Sequence, residues 1–219
     1  MAQAVDAARR VASIEGLTTA AGFAIPAALA ALVPVLFVVW IAAVVGYYFA
    51  IIHHVGAGHT GLPGPSDARD DLIDTVGLAV RGVLCAVLGT VPLLVWVRVT
   101  HRFPSGEVLL VLLLAGQTYM PAALLAVAFS NRGLAAVWPV AWVRIVTRAP
   151  LAYVRFVATW VASVALGGLL VVTTRDLLAG VNALLGNYVA AFIWTLYSFV
   201  QAAMIGNHVR HEAAAYGWD

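Results

Sequence analysis

His208 and His211 stand three residues apart, with Glu212 beside them, where the last apolar run of the chain turns polar. On a helix this i, i+3 spacing puts both imidazoles on one face, so two nitrogens can reach one metal ion. His53 and His54 end an earlier apolar run and would supply further ligands. The candidate metal ligands are therefore His53, His54, His208 and His211, and a metal ion is the one cofactor these residue types suggest. Against it stands the amphipathic character of imidazole, which suits the water–lipid boundary without any metal. Two ligands on one helix arise easily and a complete coordination shell does not. The expectation is therefore interfacial histidines and no cofactor, with no residue assigned to catalysis or cofactor binding.

Other residues pair a sharp reading with a plainer one. Gly56, Gly58 and Gly61 match the spacing of a dinucleotide fingerprint, but that motif needs a strand before it and a helix behind it. Here an apolar run precedes and Pro63 and Pro65 follow, so a turn is expected. Asp67, Asp70, Asp71 and Asp74 open the next helix, where acidic side chains cap free amides and complement the helix dipole. The lone Cys85 has no second thiol to pair with and reads as a small core residue. Gln117, Thr118 and Tyr119, with Ser163, Ser198 and Gln201, form a candidate polar seam within three apolar runs. Pro121 frees a backbone carbonyl there, so a kink and interhelical hydrogen bonds are expected.

Apolar stretches position all of these residues. They run from Ile25 to Ile52, Val76 to Val99, Val108 to Phe129, Leu151 to Val172 and Tyr188 to Ile205. A hydrocarbon core ~30 Å thick needs ~20 apolar residues at 1.5 Å each. With 63% apolar and 10% charged residues, no soluble chain of 219 residues could hide this surface. The expected fold is all-α: a polytopic transmembrane helix bundle of about five spans with in-plane interfacial helices. Residues 1–19 should form an N-terminal interfacial helix, residues 20–208 a single bundle domain and residues 209–219 a cytoplasmic tail. Trp138, Trp142 and Ile145 oppose Arg144 and Arg148, which places a helix over residues 134–148 along the membrane surface. A short amphipathic piece is expected over Asp176 to Leu185. Arginine counts favour, by a small margin, a cytoplasmic side holding the Ile52 to Thr75 loop and the C-terminus. If the Ile25 to Ile52 stretch dips in and returns at Pro26 and Pro34, the N-terminus joins that side.

Small residues recur every four positions at Ala42, Gly46 and Ala50; at Gly82, Ala86 and Thr90; at Ala158 and Ala162; and at Gly186, Ala190, Ser198, Ala202 and Gly206. Lipid tails are as apolar as leucine, so helices associate by close backbone approach, which such stripes permit. No charged residue or histidine lies near the centre of a span, which disfavours ion-coupled transport. A charge of +2 divided among loops gives nucleic acid nothing to bind.

Gly46 and Tyr47 at the end of the first span, Leu62 and Pro63 in the glycine and proline loop, and an acidic helix start leading to Gly82 carry a resemblance. With Pro139, Arg144 and the closing Tyr216, Gly217 and Trp218, they look like a domain-of-unknown-function family of prokaryotic polytopic membrane proteins (domain of unknown function 4013), loosely Yip-like. The resemblance implies five or six spans in a prokaryotic inner membrane, with no enzymatic activity and no role for the histidines. The chain is thus expected to be a non-enzymatic scaffold, assembly partner or membrane organiser, whose partners are lipids and another membrane protein or a second copy. The alternatives are a passive pathway for a small neutral solute through the seam, and a metal-dependent membrane enzyme using the histidines.

Overall fold

In the computed structural model, residues 2–29, 34–64, 72–129 and 138–216 are described, and all their regular structure is helical. Among the described residues ten helices follow in order. They are α1 (Ala2–Val11), α2 (Ile14–Leu29), α3 (Pro34–Gly56), α4 (Leu72–Gly89), α5 (Val91–Thr100), α6 (Gly106–Gln117), α7 (Met120–Phe129), α8 (Pro139–Arg148), α9 (Pro150–Ala179) and α10 (Ala183–Tyr216). Among the described residues the continuous stretch α6–α7, together with α9 and α10, is long and apolar enough to cross a membrane, and the number rises to as many as five if each of the bent pairs α1–α2 and α4–α5 is one span. The chain is a multi-pass, all-helical membrane protein. Its helices fall into two compact units, one of residues 1–79 with 162–211 and one of residues 80–161 with 212–219.

In the first unit, α1 and α2 meet at 71°. Ser13 caps α2, its Oγ accepting the Gly16 N–H at 3.1 Å, as an N-cap hydroxyl does. Gly16 is fixed by sterics, because a Cβ there would lie 2.1 Å from the Val11 carbonyl oxygen. The first apolar stretch then reverses. Phe23 of α2 and Tyr47 of α3 have ring centroids 5.5 Å apart, whereas 24 residues of straight helix would separate them by about 36 Å. This corrects the expectation of one span over Ile25–Ile52, and α2 also takes up the end of the interfacial helix expected over residues 1–19. Apolar content fills both arms of a buried hairpin and so hides the turn between them. Pro34 opens α3, where its missing N–H costs nothing.

Phe199 of α10 completes that cluster, 5.0 Å from Tyr47 and 6.0 Å from Phe23. Further along, Gly206 lets α10 touch α3, since a Cβ there would sit 2.8 Å from Val55 Cβ and 2.9 Å from the Ile52 carbonyl. The α9 and α10 helices form an antiparallel hairpin in which Gly186 meets the α9 backbone. Asn182 caps α10 by accepting the N–H groups of Leu184 and Leu185 at 2.9 and 3.1 Å. Asp176 to Leu185 is therefore no separate amphipathic helix, because α9 runs on to Ala179 and α10 begins at Ala183.

The second unit contains an antiparallel pair of spans. α4 and α5 bend by 41° at Thr90, next to Pro92, and α6 returns after the loop at His101. Gly89 and Gly116 are in backbone contact: a Cβ on Gly116 would fall 1.8 Å from the Gly89 carbonyl oxygen. α8 packs on α7, with Trp142 stacked on Tyr119 at 5.2 Å. Its exposed N-cap is Trp138, and residues 134–137 of the expected in-plane helix lie outside the described residues.

The small-residue stripe on α10 is a contact face, since Gly186, Ala190, Ser198, Ala202 and Gly206 are all buried. On α4 the buried set is Ala79, Gly82, Cys85 and Gly89, while Ala86 faces outward. Ala158 and Ala162 of α9 are exposed, and Tyr153, Phe156, Trp160 and Gly167 are its buried residues. Gly116→Ala should lower stability in detergent by about 1–3 kcal/mol, as overpacking does. Gly168→Ala, where nothing lies within 4 Å, should leave the melting temperature unchanged. Because α2 and α3 form a hairpin, cysteines at Gln3 and Thr60 in a Cys85→Ala background should react with an impermeant reagent from the same side of the membrane. Labelling from opposite sides would refute the hairpin.

Candidate functional site

Polar chemistry in the first unit collects at one end. There α1 is latched in place by Asp6, whose Oδ2 accepts Arg10 Nε at 3.0 Å and Asn207 Nδ2 of α10 at 3.2 Å. The Arg10 guanidinium, followed by the weaker pulls of Asn207 and Arg9, holds the Asp6 carboxyl below its usual range. Arg10 also donates from Nη1 to the His59 carbonyl at 2.7 Å, which ties α1 to the turn after α3. That turn is the glycine-rich segment, with Gly58 and Gly61 at φ +89° and +93°, conformations open to glycine. A helix precedes it, and Tyr47 Oη donates to the Pro63 carbonyl at 2.8 Å to hold its far side. The Arg210 side chain lies over Gly58, 3.7 Å from where its Cβ would stand.

The four histidines are placed differently from one another. His53 and His211 are exposed, His54 is half-buried and His208 is buried in α10. The ring nearest to His54 is that of His59, with centroids 4.6 Å apart. Among the described residues no three of His, Cys, Asp and Glu come together as a metal-holding group. Asp67, Asp70 and Asp71, and the side chain of Asp74, lie outside the described residues.

Seam residues are found in both units, each with its own surroundings. In the first unit Ser198 and Thr195 donate to the carbonyls of Trp194 and Ala191 in their own helix, Gln201 is half-buried, and Ser163 Oγ is buried with no hydrogen-bond partner among the described residues. In the second unit Gln117 Oε1 accepts Trp160 Nε1 of α9 at 3.3 Å, and Thr118 Oγ1 donates back to Ala115. Tyr119 Oη is buried and, among the described residues, has no hydrogen-bond partner.

The break between α6 and α7 is held open by a side chain that the sequence reading missed. Tyr153 Oη donates to the Thr118 carbonyl at 2.8 Å and accepts the Ala122 N–H at 3.3 Å. Residues 118 and 122 are an i, i+4 pair, so one phenol has entered the helix ladder in place of the backbone bond. A side chain inserted in this way is a recognised cause of a kink. The signal lay in Pro121, which marks the break, although nothing in the sequence identifies the partner that repairs it.

Tyr153→Phe should cost about 1–3 kcal/mol by stranding that N–H and carbonyl, read as a lower melting temperature in detergent. Unchanged stability would mean that the helix closes its own 122 to 118 bond. No protein-family model, curated protein or solved structure matches this chain, so its chemistry is read from its own residues.

Proposed function

We propose that this is a non-enzymatic integral protein of a prokaryotic inner membrane that acts as a scaffold, assembly partner or membrane organiser, in keeping with the family it resembles. The observation that carries the reading is the outward face of α9. Ala162, Ala165, Leu169 and Val172 share one side of that helix and are all exposed, opposite Gly167 on the buried side. Small residues presented to lipid give another helix close access to the backbone, and in a membrane close packing is a main source of association. Of the seam hydroxyls, those of Thr118 and Ser198 are spent on their own helices, as is that of Thr195.

The N-terminal reversal supports one orientation. Arg9 and Arg10 join Arg210 at the end that carries the turn after α3, and arginine excess marks the cytoplasmic face. A second reading, a passive path for a small neutral solute, is favoured by the Tyr119 Oη, which is buried with no hydrogen-bond partner among the described residues. It would be read as solute flux into liposomes that Tyr119→Phe abolishes.

Under the leading reading, Ala162→Leu leaves the melting temperature of the detergent-solubilised chain unchanged but weakens its association. Co-purification under mild detergent, or energy transfer between labelled copies in liposomes, should drop severalfold. Unaltered association in that variant would remove α9 as the contact face.

A further inference from the structure

The end of the first unit brings cations from two helices together around one turn. Arg9 and Arg10 come from α1 and Arg210 from α10, and the turn after α3 lies between them. Arg10 reaches the carbonyl of His59 while Arg210 covers the adjacent Gly58, so two guanidiniums bracket consecutive residues of one turn. Arg9 and Arg210 are exposed, and the one ion pair among the described residues, Arg10 with Asp6, engages neither of them. Glu15, at the start of α2, and Glu212, two residues after Arg210 on α10, are the other carboxylates on these elements, and neither forms an ion pair among the described residues. His53, His59 and His211 are exposed around the same end, and His54 is half-buried beneath His59.

Placing like charges side by side costs energy unless an anion completes the arrangement. Arg10 is already fixed by Asp6 and the His59 carbonyl, and so lends the patch a preorganised core. Because α3 and α10 are apolar helices that become polar at this end, the cluster lies at headgroup depth. The anion there is a phosphate ester, and planar guanidinium forks match phosphate oxygens bidentately. We propose that the Arg9, Arg10 and Arg210 cluster around the turn at residues 57–61 is a binding site for the phosphate of an anionic phospholipid headgroup. Glycine at 58 leaves no side chain between the turn and the Arg210 guanidinium. The site does not depend on the assembly role of α9.

The test is native mass spectrometry of the full-length protein in mild detergent, titrated with phosphatidylglycerol or phosphatidylcholine. Wild type should bind phosphatidylglycerol preferentially and lose it as salt rises. Arg9→Gln combined with Arg210→Gln should weaken that binding roughly thirtyfold at unchanged melting temperature. Arg10 is left in place because it holds α1. Exchanging the exposed Arg98 and Arg102 for Gln serves as the control and should change nothing. Inorganic phosphate forms a separate arm. If phosphate alone stabilises the wild type and not the double variant, the same residues recognise phosphate without a lipid. Equal affinity for both lipids, or a double variant that binds phosphatidylglycerol as tightly as wild type, overturns the proposal.

Discussion

In hydrocarbon, a backbone N–H or C=O without a partner inside the chain costs several kcal/mol, and this requirement governs the whole molecule. It makes every described element a helix, and it makes each interruption a place where something specific must intervene. At the α1–α2 bend Ser13 takes the Gly16 N–H, and at the start of α10 Asn182 takes two amides. At the α4–α5 bend Thr90 Oγ1 donates to the Val87 carbonyl at 2.7 Å. The α6–α7 break needs the most help, because its repair comes from another helix through Tyr153. A helix break in this chain is thus a binding event within the fold, and its partner holds the kink at a fixed angle.

The same solvent removes the usual reason for helices to pack, since side chains gain nothing by leaving lipid for protein. Contact must then come from closeness of backbones, and glycine permits it at Gly89 with Gly116 and at Gly206 against α3. These glycines are used for their lack of a Cβ, while Gly58 and Gly61 are used for their positive φ. Aromatic side chains fill what the glycines leave. Trp40 lies 5.2 Å from Trp194, and the cluster of Phe23, Tyr47 and Phe199 closes the hairpin of α2 and α3 on α10.

Apolar length was legible in the sequence, so the all-helical membrane architecture and the positions of α4 to α7, α9 and α10 could be read from it. The reversal within residues 25–52 was not, because hydropathy reports burial and is blind to direction; only Pro26 and Pro34 hinted at it. The stripe on α10 identified a contact face, yet the same pattern at Ala158 and Ala162 lies outward. Small residues say that a backbone can be approached and do not say which neighbour approaches it. Histidine spacing drew attention to His208 and His211, whereas the groups that organise that end are Asp6, Arg10 and Asn207. The i, i+4 pair of Asp6 and Arg10 was visible in the sequence, but its link to residue 207 needed the fold.

Because charged groups are kept from the centres of the apolar stretches, the chain concentrates its ionic chemistry towards the ends of helices, and the hairpin of α2 and α3 decides which ends coincide. A straight first span would have carried Arg9 and Arg10 to the opposite surface from Arg210. The reversal puts them together and turns scattered single charges into a local field, which falls off within about 8 Å at physiological salt and so acts only on what lies at that surface. Asp6 is the hinge of this arrangement. Its carboxylate joins α1 to α10, and its folded-state acidity is raised by Arg10, so the latch is complete above the ordinary carboxylate range and is lost as pH falls through its lowered value. Between those limits α1 stays docked and the arginines stay grouped, so the fold of the first unit and the charge of its polar end are one property of the same few residues.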